Sequence, residues 1–332
     1  MSLPIAQLGF ETAAPLQDGH LVHGPELHIR RRFNCLGFAI DLTTNHPEVE
    51  RAAAESWSSS AAIFADDPIH IAVTVVENGD TICPPAPVFR SLGHVGMHIA
   101  DSSNVLLSDM ETGDSQICIS TAALTSRSYL RYFFLEAAAL TMISTRYCVP
   151  IHAACVSTQD HGVLLCGESA AGKSSFAYAC ARSGWRYTSD DASYLLLQQS
   201  PSTIVGNCNQ FRFRPGAREL FPELRHCEIT PRAAGKPSME VPVTQLKGIR
   251  TQPRTSVALL VFLDRVAYGP PAILPLPSGH ARSFIRQHWS GIREPQHTAV
   301  DRLLREAPVI RLTYSLFADA IHHLEQYLHS LR

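Results

Sequence analysis

The chain has 332 residues, 45% of them hydrophobic and 17% charged, which is long enough for two domains and has the composition of a globular rather than a disordered protein. A formal net charge of −2 excludes the broad basic field that non-specific nucleic-acid binding requires, and Arg30–Arg32 beside an apolar run reads as the flank of a strand. No run approaches the ~20 apolar residues of a membrane span, and Met1–Phe10 lacks the basic start and apolar core of a signal peptide, so neither a membrane nor a nucleic acid is expected as a partner.

Up to about Ser126 the pattern favours strands. Phe33–Leu42 reads as one strand ending at Thr43-Thr44-Asn45, followed by a helix with Asn45 as its cap, Pro47 in its first turn and an apolar stripe of Val49, Ala52, Ala53 and Trp57. Ile69–Val76 is a β-branched run closed by Asn78-Gly79, and His94–Ile99, Asn104–Asp109 and Ser115–Ser120 are short strand candidates. These elements predict an α+β domain with a mostly antiparallel sheet over 1–127. Ser128–Tyr147 is rich in Ala and Leu, contains no Gly or Pro, stops before Pro150 and is apolar on nearly every face, which predicts a buried connecting helix at the start of a second domain over 128–332. The nine cysteines are scattered without a CxxC pair, a pattern of free thiols in a reducing cytoplasm, and close Cys/His spacing for zinc is missing.

The chemistry concentrates after residue 150. Gly162–Cys166 reads as a buried parallel strand, and the following residues, Gly167, Glu168, Ser169, Ala170, Ala171, Gly172, Lys173 and Ser174, match GxxxxGK[ST] without a mismatch. A helix is predicted over Ser175–Ser183, capped near Gly184. In such a loop the glycines let backbone N–H groups converge on phosphates, the helix N-terminus adds partial positive charge, Lys173 neutralises the β- and γ-phosphates, and Ser174 is placed to ligate Mg²⁺. ATP and Mg²⁺ are therefore the expected cofactors. Asp190-Asp191 follow the helix and a short strand. Adjacent carboxylates near phosphates suit metal coordination plus a base, although an exposed acidic turn has the same spacing. His152 falls at a strand start near the mouth of the loop, where it positions a carboxylate or simply ends a strand. Asp264, after the apolar strand Val257–Leu263, is the one candidate for a separate metal-binding acid of an ATPase or GTPase. Downstream, Ser278–Trp289 and Ser315–Leu331 read as helices and Ala307–Leu312 as a strand.

Together, His152-Ala153-Ala154, the strand and loop over 162–174, and Ser189-Asp190-Asp191 resemble the C-terminal kinase domain of the HPr kinase/phosphorylase family. The resemblance is close over about Pro150–Leu197 and thinner downstream, at Val241-Pro242-Val243 and Arg254-Thr255. It implies an α/β fold whose P-loop domain is related to that of PEP carboxykinase, and ATP-dependent phosphorylation of a hydroxyl on a protein, peptide or small molecule. By that resemblance the loop Gly167–Ser174 with Ser175 holds the nucleotide, and Ser174 and Asp191 hold Mg²⁺. Asp190 is then the base with His152 beside it, and Arg254 stabilises the transferring phosphoryl group. It also implies a homo-oligomer. The family's metal-binding glutamate has no counterpart in Asn209–Gly216, so phosphorylase activity and HPr as acceptor are not implied. Without that acid the same fold also suits a nucleotide-binding sensor that performs no transfer. Lys236, and the alternating pair Arg212 and Arg214, are further candidates for phosphate contact.

Overall fold

The computed structural model describes residues 25–159, 161–229, 237–288 and 293–331; Met1–Phe10, Lys236 and Trp289 lie outside them. Strands β1 (Ile29–Cys35) and β2 (Phe38–Thr44) form a hairpin where the apolar pattern suggested one strand. The pattern misled because the turn is a two-residue one: Leu36 (φ 52°) and Gly37 (φ 91°) are both left-handed, and Leu36 is buried like its strand neighbours. Gly37 is also the only residue that fits, since a Cβ there would meet Ile63 Cβ at 2.6 Å. Arg31 and Arg32 pair with Glu50 and Asp41, so the basic cluster is a solvated strand flank.

Helix α1 (Pro47–Trp57) buries Val49, Ala52, Ala53 and Trp57, and is capped by His46 instead of Asn45. Asn45 bonds in both directions to the backbone of Val75, tying the start of α1 to β3 (Ile69–Val76). Strands β4 (Val88–Leu92), β5 (Val95–Ile99), β6 (Val105–Asp109) and β7 (Asp114–Ser120) complete a seven-stranded sheet of order β1-β2-β3-β7-β6-β5-β4. Its β2–β3–β7 centre is parallel, with α1 as the β2-to-β3 crossover, and its other pairings are antiparallel.

The following helical run is not continuous α-helix. It passes from α2 (Arg127–Leu130) through a π turn at Arg131–Leu135 into α3 (Glu136–Arg146). Its Phe134, Leu135, Ala138, Met142 and Ile143 pack on the first sheet, and the same apolar cluster continues into Tyr194, Leu196 and Val205 of the second sheet. Each such large side chain, fully buried, contributes about 1.5–3 kcal/mol.

The second sheet is built from β8 (Cys148–Ile151), β9 (Ala153–Thr158), β10 (His161–Cys166), β11 (Arg186–Ser189), β12 (Ser193–Leu196) and β13 (Thr203–Val205). The later strands β16 (Arg250–Thr251), β17 (Arg254–Arg265), β18 (Ala272–Pro275) and β19 (Val309–Tyr314) complete it, while β14 (Gln210–Phe213) and β15 (Met239–Pro242) pair separately. Helices α4 (Lys173–Arg182), α5 (Ala217–Leu220), α6 (Ser278–His288), α7 (Glu294–Glu306) and α8 (Phe317–Ser330) complete the chain. At the centre β10, β17 and β19 run parallel. Strand β17 is apolar without alternation because both of its faces are covered. Leu259, Val261 and Leu263 pack with Phe176 of α4 and Leu324 of α8, while Leu260 and Phe262 pack with Phe284 of α6 and Leu303 of α7. The result is a mixed α/β architecture with two large sheets. All nine cysteines are free thiols, six of them buried. Among the described residues no helix is long and apolar enough to cross a membrane.

Candidate functional site

The parallel strand β10 delivers the chain into the loop at its C-terminal edge, and α4 leaves the loop at Lys173. The loop is shaped by three positive-φ residues, Gly167 (150°), Ala170 (73°) and Gly172 (87°). At Gly167 a Cβ would stand 2.8 Å from the Ala171 Cβ, so bare backbone is required there. A left-handed Gly172 directly before a right-handed first helical turn is the backbone geometry of an anion-binding nest. Glu168, Ser169 and Ala170 are exposed, Ala171, Ser174 and Ser175 are half-buried, and Ser174 and Ser175 lie in the first turn of α4.

Lys173 is only 6% exposed. Its ammonium reaches three acceptors, Gly167 O at 2.7 Å, His152 Nε2 at 3.0 Å and Glu168 O at 3.1 Å, which matches its three N–H donors. Burial lowers its pKa, opposed first by the negative charge of Asp191. Because Nε2 of His152 accepts from Lys173, the neutral ring carries its proton on Nδ1, which faces Asp191 Oδ1 at 4.0 Å. Lys173, His152 and Asp191 thus form one line out of the loop. The His152 ring also stacks on His288 of α6, with centroids 4.9 Å apart.

Burial, and then the charge of Lys173, lower the His152 pKa, while Asp191 opposes them. The unfolded chain, with an imidazole pKa of about 6.5, therefore takes the proton first as pH falls. The contribution of neutral His152 to stability is complete above that value and is lost as pH drops through the lower folded value. Thermal melts of the nucleotide-free protein are expected to show a steeper fall in Tm from pH 7.5 to 5 than melts of His152→Gln. Equal slopes would contradict this placement of the ring.

The acidic pair occupies two environments. Asp190 is 7% exposed and its Oδ2 accepts the backbone N–H of Arg212, so β14 holds this carboxylate in place. Asp191, with a side chain 54% exposed, is the one that faces His152. His152 thus stands at the Asp190-Asp191 turn with the Asp191 carboxylate toward its ring. Arg254 opens β17 opposite Val205, which pairs in turn with Tyr194 after the Asp190-Asp191 turn, and its neighbour Pro253 lines a cavity together with those two acids. Asp264 ends beside the loop, one residue after Leu263, whose carbonyl oxygen is 3.8 Å from the Cβ position of Gly167, and it accepts from Thr313 Oγ1 at 3.2 Å.

Two residues beside Arg212, Glu136 and Glu240, were not assigned roles from the sequence. Arg212 lies 3.2 Å from Glu240 and 3.6 Å from Glu136, and its guanidinium stacks over Tyr132 at 5.0 Å. Glu240 stands opposite Arg212 in the β14–β15 ladder, and burial pushes its carboxyl pKa up. Glu136, a lone acid inside the apolar run Tyr132–Leu140, also accepts from Ser56 and Arg131. A single carboxylate in an otherwise apolar run was the available signal. Glu136, Asp190, Asp191 and Arg212 line one cavity of about 310 Å³, whose other wall is the Leu36-Gly37 turn and the end of α1. Among the described residues no group of three or more His, Cys, Asp or Glu side chains is placed to hold a metal by itself.

No protein-family profile and no curated protein matches this chain. Among solved structures, the HPr(Ser) kinase/phosphatase from Coxiella burnetii is similar over 55% of this chain and 94% of its own, at 14% identity and a TM-score of 0.31.

Proposed function

We propose that this protein is an ATP-dependent phosphotransferase that moves the γ-phosphoryl group to a hydroxyl. The carrying observation is the series from the loop lysine to the His152 ring (3.0 Å) and on to Asp191 (4.0 Å), with Asp190 beside it at the wall of a cavity. The loop Gly167–Ser175 would hold the triphosphate on its backbone N–H groups, and the Lys173 ammonium would exchange its carbonyl partners for phosphate oxygens. Bound Mg²⁺ would supply charge neutralisation of the phosphates, and the hydroxyl of Ser174 and the exposed carboxylate of Asp191 fit it as ligands.

Transfer breaks the bond between the γ-phosphorus and the bridging oxygen, which leaves with ADP, and forms a bond to the acceptor oxygen. The acceptor proton passes to the Asp190 carboxylate. Its second-strand anchor on Arg212 N–H orients that carboxylate without a side-chain rearrangement. His152 keeps Asp191 and Lys173 in register and, being neutral, adds no cation that would hold the phosphates back. A second reading, nucleotide hydrolysis, is favoured by the position of Asp264 at the end of β17 beside the loop.

The test is nucleotide binding by calorimetry with Mg²⁺. Lys173→Met is expected to weaken ATP binding about 10–100-fold, the loss of a charged hydrogen-bonding partner worth about 1.5–3 kcal/mol. Wild-type protein that binds no nucleotide, or binds it equally well in Lys173→Met, would overturn the proposal.

A further inference from the structure

The cavity walled by Asp190 and Asp191 has features that a docking site for a protein acceptor does not need. Its volume, about 310 Å³, is at the lower end of the ~300–1,000 Å³ of small-molecule pockets. Its walls come from distant parts of this one chain: the Leu36-Gly37 turn and Ser60 after α1, Glu136 of α3, and the Asp190-Asp191 turn. Asp190 is 7% exposed, so a hydroxyl reaches it only by entering the cavity.

The wall is built at some cost. Leu36 is held left-handed at φ 52°, an uncommon state for a residue with a side chain, and it lines the cavity together with Gly37. The Gly37 carbonyl accepts two N–H groups, from Ile63 at 2.9 Å and Phe64 at 3.1 Å, which fixes the segment after α1 against the turn. Ser60 Oγ accepts from Asn209 Nδ2 at 3.4 Å, joining this wall to the segment before β14.

The charge of the lining narrows the class of ligand. Glu136, Asp190 and Asp191 face it with one cation, Arg212, which is already shared between Glu136 and Glu240. A phosphorylated or carboxylated acceptor would bring a further negative charge into this lining, whereas a neutral or cationic one would not. Apolar surface from Leu36, Trp57, Ile63 and Leu140 offers contact for a carbon skeleton.

From this geometry we infer that the acceptor is a small neutral or cationic alcohol, such as a polyol or an amino alcohol, bound in the cavity between the first sheet and the Asp190-Asp191 turn. The inference rests on the phosphotransferase reading, and the test separates the two. Purified protein with Mg²⁺ and radiolabelled ATP is given neutral polyols, amino alcohols, hydroxy acids, phosphorylated alcohols and serine-containing peptides, and binding is followed in parallel by thermal shift with a non-hydrolysable ATP analogue. The expected result is labelled product and a thermal shift with members of the first two classes only. Ser60→Trp, which fills the cavity remote from the loop, should abolish both while ATP affinity stays within twofold of wild type. Should Ser60→Trp fail to fold, Glu136→Gln provides a second variant that changes charge without changing size. It should raise the KM for amino alcohols at least fivefold more than that for neutral polyols. Labelled peptide made equally well by Ser60→Trp, preference for anionic alcohols, or no product and no shift from any class would each overturn the inference. Failure of ATP binding itself would instead overturn the phosphotransferase reading.

Discussion

Asp190→Asn is expected to lower phosphoryl transfer about 10²–10⁴-fold, the range that a positioned general base contributes, while ATP affinity changes by less than threefold. The substitution is nearly isosteric, and the amide oxygen can still accept the Arg212 N–H that anchors the carboxylate. What it removes is a group able to take the acceptor proton. The loop, Lys173 and Ser174 are untouched, so single-turnover kinetics and calorimetry should separate cleanly. Asp191→Asn provides the contrast: it removes the charge facing His152 and Lys173, and its effect should fall on nucleotide and Mg²⁺ dependence as well as on rate. If Asp190→Asn kept full activity and Asp264→Asn abolished ATP breakdown, the protein would be a nucleotide hydrolase whose acid is the one at the end of β17.

How much of this was readable beforehand depended on whether the determinant was local. The strand, loop and helix around Gly167–Ser174 were legible because each is set by a short run: an apolar β10, glycines where the backbone must turn left-handed, and a helix-forming stretch after Lys173. Ile69–Val76 and the buried stripe of α1 were legible for the same reason. The failures were non-local. Phe33–Leu42 concealed a hairpin because its turn residue Leu36 is as apolar as a strand residue. The cluster of Glu136, Arg212 and Glu240 joins three segments, and the π turn at Arg131–Leu135 that precedes Glu136 leaves no periodic signature in so apolar a helix.

That cluster carries the other large expected effect, on stability. Arg212 is 21% exposed and lies between Glu136 and Glu240, which are 17% and 14% exposed. Removing one partner of a buried ion pair typically costs about 3–5 kcal/mol because the remaining charge is left uncompensated, and partial solvent access here reduces that to about 2–4 kcal/mol. Arg212→Met preserves most of the side-chain stem over Tyr132 and removes only the guanidinium. Urea unfolding should therefore register the full loss near pH 7.5. The pH dependence distinguishes lost charge from lost packing. Burial already pushes the Glu240 carboxyl up, and removing the neighbouring Arg212 guanidinium is expected to raise it further. A carboxyl raised in the folded state stabilises below the unfolded pKa of about 4.3, and that contribution disappears as pH rises through the folded value. The deficit of Arg212→Met relative to wild type should thus shrink as pH falls from 7.5 to 5. Adding Glu240→Gln to Arg212→Met should recover about 1 kcal/mol at pH 7.5 and much less at pH 5. A deficit independent of pH, unaffected by Glu240→Gln, would mean that Arg212 acts through packing against Tyr132 and not through its charge.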